Sequence, residues 1–365
     1  MSKLLKVFLI ASFAVASFSA KAVTVVSWGG AYTESQQKAY ADTYSDPSSI
    51  QFENYNGGLG EVRAQVESGS VTWDLVDVLP GDAITGCDEG LFEDISSDIA
   101  SNAVPGPDGE SMLEDMENNG LEYHSGWDCC VPQIFWTYVV FFDPDAFPGD
   151  KPSSMADFFD VEKFPGKRGV HTWATGIVEK AMVADGVKPS AVPTVLRDQT
   201  GALDRAFAKL DTIKGDVVWW EAGAQPPQLL ADGEVVFSTA WNGRVFNAKN
   251  AEGQSFEMVW DGQIYDLDLW VIPKGSKNKE AALDFVAFST ATEQLAAQAS
   301  WISYGPARAS SEARIGTFHS DDSIKMADHM PTAAANFKNA LQNDFEFWAD
   351  NADQLNERFN AWLSK

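Results

Sequence analysis

The chain is short of positive charge: 26 Lys and Arg stand against 53 Asp and Glu, a net charge of −27. With no basic patch to neutralise phosphates and release counterions, nucleic acid and anionic lipid are excluded as partners. Such acidity attracts cationic solutes, although bulk charge by itself defines no site. Histidines are few, four in all, and scattered. The three cysteines, Cys87, Cys129 and Cys130, lack the C-x(2–4)-C spacing of a zinc site. No G-x-S-x-G, H-E-x-x-H or P-loop pattern occurs, so the familiar signatures of serine hydrolases, zinc peptidases and nucleotide-driven enzymes are missing. Internal repeats and low-complexity tracts are missing too. Beyond residue 22 no apolar run approaches the length of a membrane span.

What is present begins with a secretory pattern. MSKLLK carries two lysines, VFLIASFAVASF is apolar, and Ala20-Lys21-Ala22 ends the segment as A-x-A. Residues 1–22 are therefore expected to be a signal peptide, leaving about 340 residues, enough for two lobes. Losing Lys3, Lys6 and Lys21 with it takes the net charge to −30. In an exported chain, three cysteines predict one disulfide and one remaining thiol. Cys87 pairs with Cys129 or with Cys130, and either closes a loop of about 42 residues. Aromatics are plentiful, with 13 Trp and 23 Phe, and such side chains fill cores or line pockets for small organic ligands.

The rhythm of the chain is α/β. VTVVSW (23–28) reads as a strand ending at Gly29-Gly30, and Thr33 and Gln36 form a capping-box pattern before a helix over 33–44. Helix 60–68, strand 73–79 and a further helix follow with short connections, as in a lobe with a mostly parallel sheet. VPQIFWTYVVFFD (131–143) is longer than one buried strand requires. Strands near 168–173, 216–220, 234–240, 255–260 and 264–272 alternate with helices, and the last 50 residues read as helical throughout. Within 261–273, DGQIYDLDLWVIP, strand alternation puts Asp266, Asp268 and Trp270 on one face. A carboxylate in a buried strand is costly unless a cation or a hydrogen-bond donor meets it.

Six segments in order, SWGGAY (27–32), WDLVDVLPGDAITG (73–86), FPGKRG (164–169), LLADGEVVFSTAWNGR (229–244), IYDLDLWVIPKGSKNKEAALDFVAF (264–288) and SYGP (303–306), resemble the periplasmic solute-binding proteins of ABC importers. The resemblance is to the branch that includes the spermidine/putrescine-binding proteins, and it covers essentially the whole chain after residue 22. It implies a type II periplasmic-binding-protein fold: two α/β lobes, each a mostly parallel sheet flanked by helices, with the ligand in a cleft at the hinge. The implied lobes are 23–134 with 268–308, and 135–267 with 309–365. The strands at 134–142 and 264–272 would cross between them. The protein would act in the periplasm as a monomer without cofactor, capturing a small cationic amine and delivering it to an inner-membrane permease.

The resemblance also implies a site. Trp28 matches a Trp in the family's first strand-end segment, and Tyr32 approximates a Tyr there, one position out of register. Trp241 matches the Trp of a WNG segment, Tyr304 a Tyr facing the ligand, and Asp268 the Asp that receives an amine. An aromatic wall would pack the methylenes of a diamine and attract its ammonium groups. Two departures bear on the ligand. Asp266 stands where the family usually has an aromatic. In place of an acidic cluster after strand 168–173, GVHTWATG offers Thr172, Trp173 and Thr175. A second ammonium would then need Glu221 or Asp82. If the far end is instead a carboxylate, the helix start at Ala222-Gly223-Ala224 offers free N–H groups, and a 4-aminobutyrate-like amino acid fits; a choline- or thiamine-like cation is another alternative to a polyamine. Ferric iron is discounted because SYGP lacks adjacent tyrosines. The rival from another class is a hydrolase using Asp266, Asp268 and Glu221 as its acid and base, for which no catalytic motif is found, so no catalytic or metal residues are assigned.

Overall fold

The computed structural model describes residues 22–121 and 127–364, so the expected signal peptide lies outside the described residues except for Ala22. Eight strands form the spine of one sheet: β1 (Val23–Ser27), β2 (Ile50–Asn54), β3 (Leu75–Val78), β4 (Cys130–Phe142), β5 (Arg168–His171), β6 (Val217–Trp220), β7 (Phe237–Trp241) and β8 (Glu257–Val271). Their order is β2-β1-β3-β8-β4-β7-β5-β6. The flanks are parallel, β2-β1-β3 on one side and β7-β5-β6 on the other. Between them β8 and β4 run antiparallel to each other over most of their length. Short strands β9 (Gly305–Pro306) and β12 (Leu341–Gln342) add to β4 and β8, while β10 (Thr317–Phe318) and β11 (Asp321–Lys325) form a separate hairpin.

The two long strands explain the two lobes. Val131 and Phe135 of β4 and Leu267, Leu269, Trp270 and Val271 of β8 enter a core with β1, β3 and the helix Lys279–Ser289. Farther along, Trp136, Tyr138, Val140 and Phe142 of β4 and Val259 and Ile264 of β8 enter a second core, built on β5, the helix Ile177–Ala184 and the final helix Phe345–Leu363. Thus one pair of strands carries side chains into both lobes, and the sheet runs through the hinge. Fully buried Trp270 belongs to the first core.

Several expectations are corrected. Segments 255–260 and 264–272 are one strand, continuous through Gly262, which takes the positive φ of 69° that the bend requires. The first helix starts at Gly30 and ends at Ala39, not 33–44. Thr33 caps from inside it, its Oγ1 accepting the Gly29 N–H at 2.8 Å, and Gln36 points to the sheet. The C-terminal 50 residues are not helical throughout. Residues 316–325 form the β10–β11 hairpin, where Asp321 accepts the N–H and hydroxyl of Ser323, and the helix is confined to Phe345–Leu363.

Cys87 is joined to Cys129, across the base of the first lobe, and Cys130 is buried at the start of β4. The bond spans a sequence separation of 42. In the chain-entropy account, a loop of this length contributes about 4 kcal/mol. The double replacement Cys87→Ser/Cys129→Ser is therefore expected to lower stability by about 2–4 kcal/mol in urea denaturation; an unchanged midpoint would show that the bond does not constrain the unfolded chain.

Candidate ligand-binding site

In sheets of this kind, ligands sit beyond the carboxyl ends of the strands. Here four parallel strands end at one cavity. Trp28 follows β1, Leu79 follows β3, Trp173 lies two residues beyond β5, and Trp241 ends β7 with Arg244 one helical turn on. The crossing strands contribute Trp136 from β4 and Asp268 from β8, and Tyr32 and Tyr304 close the wall. The free space is small, about 30 Å³ for the centre of a water-sized sphere. It suits a short, narrow molecule.

The wall is aromatic. Trp28 stands edge-on to Trp173 at 6.2 Å, Trp136 to Trp241 at 6.3 Å, and Tyr32 to Tyr304 at 5.3 Å between ring centroids. Local sequence fixes these rings. Asn242 accepts the Thr137 N–H through Oδ1 and donates through Nδ2 to the Ser303 carbonyl, tying Trp241, β4 and the Tyr304 segment together. His171 is held neutral: burial pushes its pKa down to about 3. Its Nδ1 accepts the Trp173 N–H at 2.9 Å and its Nε2 faces the Glu221 carbonyl at 3.1 Å, so the ring fixes where Trp173 stands.

Two opposite charges meet in the cavity. Asp268 is 4% exposed, and the Tyr32 hydroxyl that faces it makes no well-formed hydrogen bond. Burial, then the charge of Asp77, push its carboxyl well above the usual range. Asp77 of β3 is fully buried and raised to about 7, chiefly by desolvation. Gln36 donates to its Oδ2 at 2.7 Å and Ser27 at 3.3 Å, while Oδ1 has no partner. Arg244 is the cation. Its Nη1 donates to the Gly29 carbonyl at 2.7 Å and its Nη2 to the Trp28 carbonyl at 3.2 Å. This reach needs Gly30: a Cβ there would lie 2.8 Å from Arg244 Nη1, on a backbone with φ of 55°. Among the residues lining the cavity, the Trp28 and Trp136 indole N–H groups, the Tyr32 hydroxyl and Arg244 Nε are buried donors without partners. Buried donors are almost always satisfied in folded proteins, so unmatched ones beside a cavity point to an acceptor on the ligand.

The remaining expected residues separate. Trp28, Tyr32, Trp241, Asp268 and Tyr304 come together. Asp266 accepts from Asn343 Nδ2 at 2.6 Å and from the Leu267 N–H at 2.8 Å, and with Asp82 it lines a larger outer cavity toward the cleft mouth. Desolvation raises the two carboxyls to about 7 and about 6. Glu221 is exposed and lines neither cavity, which corrects its assignment as the carboxylate for a second amine. Of the N–H groups expected to bind an anion at Ala222-Gly223-Ala224, that of Ala222 is taken: Gln225 Oε1 accepts it at 2.7 Å. The sequence reading missed Asp77, Trp136 and Arg244. The signals were a second carboxylate in an apolar strand, WDLVDVL, and an arginine directly after the WNG segment.

Two lobes, a hinge of crossing strands and a closed aromatic cavity with fixed charges define a solute-binding protein rather than a catalyst. Residues 32–332 match the profile of the bacterial extracellular solute-binding proteins, and the chain belongs to that family. It is 37% identical to a gamma-aminobutyric acid-binding protein of Pseudomonas aeruginosa, over 99% of this chain and 96% of that one. It is 30% identical to the spermidine/putrescine-binding periplasmic protein of Escherichia coli over 55% of this chain and 53% of that one. Among solved structures, the Atu4243–GABA receptor superposes with a TM-score of 0.75 at 32% identity, covering 94% of this chain and 98% of that one. The protein is the substrate-binding component of an ABC transporter, not an enzyme.

Replacing Gly30 with Ala is expected to displace the Arg244 guanidinium and cost about 1–2 kcal/mol of stability through the positive φ and the close approach. Thermal unfolding measures the cost; a variant as stable as the parent would show that this approach is not tight.

Proposed function

We propose that the protein captures an ω-amino acid of the 4-aminobutyrate class in the periplasm and presents it to its permease. The observation that carries this is the pairing of Asp268 with Arg244 across one small aromatic cavity. An ammonium group enters the cage beside Asp268, where ring faces and a carboxylate both attract it. The carboxylate at the other end meets Arg244 Nε and the Trp136 indole N–H, two of the cavity's donors left without partners. A polyamine offers ammonium groups at both ends and no acceptor for these donors, and it places a cation near Arg244. The relation to the aminobutyrate binders supports the same reading, since it spans the whole chain whereas that to the Escherichia coli polyamine binder spans about half.

In this reading residues 1–22 are removed on export, and the lobes 23–134 with 268–308 and 135–267 with 309–365 close about β4 and β8. Arg244, at the start of the helix Asn242–Asn250, reaches over to the Trp28 and Gly29 carbonyls of the opposite lobe, so closure itself assembles the carboxylate subsite.

Titration calorimetry with 4-aminobutyrate, 5-aminopentanoate, putrescine and spermidine tests the reading. The amino acids are expected to bind tightest. Asp268→Asn should lose at least about tenfold in affinity for every amine, the scale of one charge-assisted contact, whereas Arg244→Gln should lose that much for the amino acids alone. Preference for putrescine, with Arg244→Gln indifferent, would return the polyamine reading to first place.

A further inference from the structure

Asp268 does not stand alone. In the β3–β8 register Asp77 lies directly opposite Trp270, so Asp268, two residues along the same face, is its diagonal neighbour. Both carboxyls are buried, and Tyr32 on the helix Gly30–Ala39 faces both. Asp77 has one oxygen held by Gln36 and Ser27 and the other unpartnered. Two carboxylates so placed cannot both stay ionised in a closed apolar cavity, because each pays desolvation and repels the other. A proton bound between them would satisfy the orphaned oxygen.

We propose that Asp77 is a positioning residue for the amine: in the ligand-free cleft it shares one proton with Asp268, and the incoming ammonium group displaces that proton to solvent. The inference rests on the reading that an ammonium group meets Asp268. The exchange balances, since one positive charge replaces another: the O–H bond of the pair breaks, its electrons stay as carboxylate, and the proton leaves as hydronium or on buffer. The ligand's own amine stays protonated. The two carboxyls thereby carry one negative charge when the subsite is empty and two when an ammonium group sits between them, so a neutral isostere of the ligand is left facing an acid–carboxylate pair.

The surroundings make this pair the exchanging group. Facing it are Tyr32 and Tyr40 from the helix Gly30–Ala39 and its end, Tyr55 beyond β2, Gln133 from β4, Tyr304 before β9, Asp266 on β8, Asp82 farther out on the helix Pro80–Asp88, and Arg244 from the opposite lobe. The tyrosines are raised by burial and stay neutral at ordinary pH. Arg244 favours the anionic form of Asp268, and Asp266 opposes it. Asp82 and Asp266 can also change protonation, but they line the outer cavity, so their contribution survives when Asp77 is replaced.

The sign follows from linkage. Binding the ammonium lowers the carboxyl pKa of the pair, so protons are released and affinity rises with pH until the free pair itself ionises near or above pH 7, the range to which Asp77 is raised. Calorimetry of 4-aminobutyrate at pH 6 in buffers of different ionisation enthalpy should count about one proton released per ligand, and affinity should rise about tenfold per pH unit below that range. Asp77→Asn should release few protons and flatten the pH profile, while a merely structural Asp77 would weaken binding and leave the slope unchanged. Carbon-13 titration of the Asp carboxyls in ligand-free protein provides the second readout: Asp77 and Asp268 should titrate as a coupled pair, and Asp268→Asn should move Asp77 to lower pH. If 4-aminobutyrate does not bind but the coupled titration is seen, the shared proton stands and the ligand reading falls. If both carboxyls titrate independently below about pH 5, the inference is overturned even where the ligand binds.

Discussion

The carboxyl of Asp268 is buried in an aromatic cavity, on a strand that belongs to both lobes. Burying such a group costs several kcal/mol unless charge or hydrogen bonds compensate it. A strand is a good place to hold it, because β8 is fixed by β3 on one side and β4 on the other and cannot move aside to bring it to water. The cost of this position is carried by the surrounding core and is relieved when a cation enters. If the ligand is an amine, as proposed, its affinity comes partly from relieving that cost, and not only from contacts made anew.

The same strands explain why capture and closure are linked. The side chains at the cavity come from both halves of the sheet: Trp28, Tyr32 and Leu79 from the first, Trp173, Trp241 and Arg244 from the second, with Trp136, Asp268 and Tyr304 at the crossing. Moving the halves apart would break the Arg244 bonds to the Trp28 and Gly29 carbonyls and open the cage. A ligand carrying a group for Arg244 as well as one for Asp268 therefore has more to gain from the closed form than one carrying a single group. Differential affinity of this kind is what shifts a conformational equilibrium.

Much of the architecture could be read from residues alone. The alternation of apolar strands with helices, the glycines at strand ends, and the overlong apolar strand at 131–143 marked an α/β protein with a crossing, while β8 was read as two strands. The site was legible where a residue broke its local pattern: Asp268 in an apolar strand, and Trp241 at a strand end before Asn-Gly. Asp77 broke the pattern in the same way, yet strand position gives a face and not a neighbour, and only the β3–β8 register brings it to Asp268. Arg244 was hidden for another reason. A single arginine at the start of a helix has no distinctive spacing, and its meaning depends on the carbonyls of Trp28 and Gly29, more than 200 residues away. Glu221 is exposed and away from the cavity, and the Ala222 N–H is taken by Gln225, neither of which strand and helix patterning reveals.

Asp266 can be understood on these terms. Where related polyamine binders carry a ring, this chain has a carboxylate, but its two oxygens are met by Asn343 and the Leu267 N–H. Its carboxylate is therefore already engaged, although it shares a face of β8 with Asp268 and lines a small cavity that has Leu79, Trp136, Trp173 and Trp241 in common with the inner one. An aromatic at this position would extend the cage toward the cleft mouth and lengthen the ligand that fits. A carboxylate tied back to Asn343 offers no such ring, which agrees with the proposed short ligand of one amine and one acceptor. The substitution that weakens a strict polyamine assignment in the sequence thus has a physical counterpart in the structure, and it acts on ligand length as much as on charge.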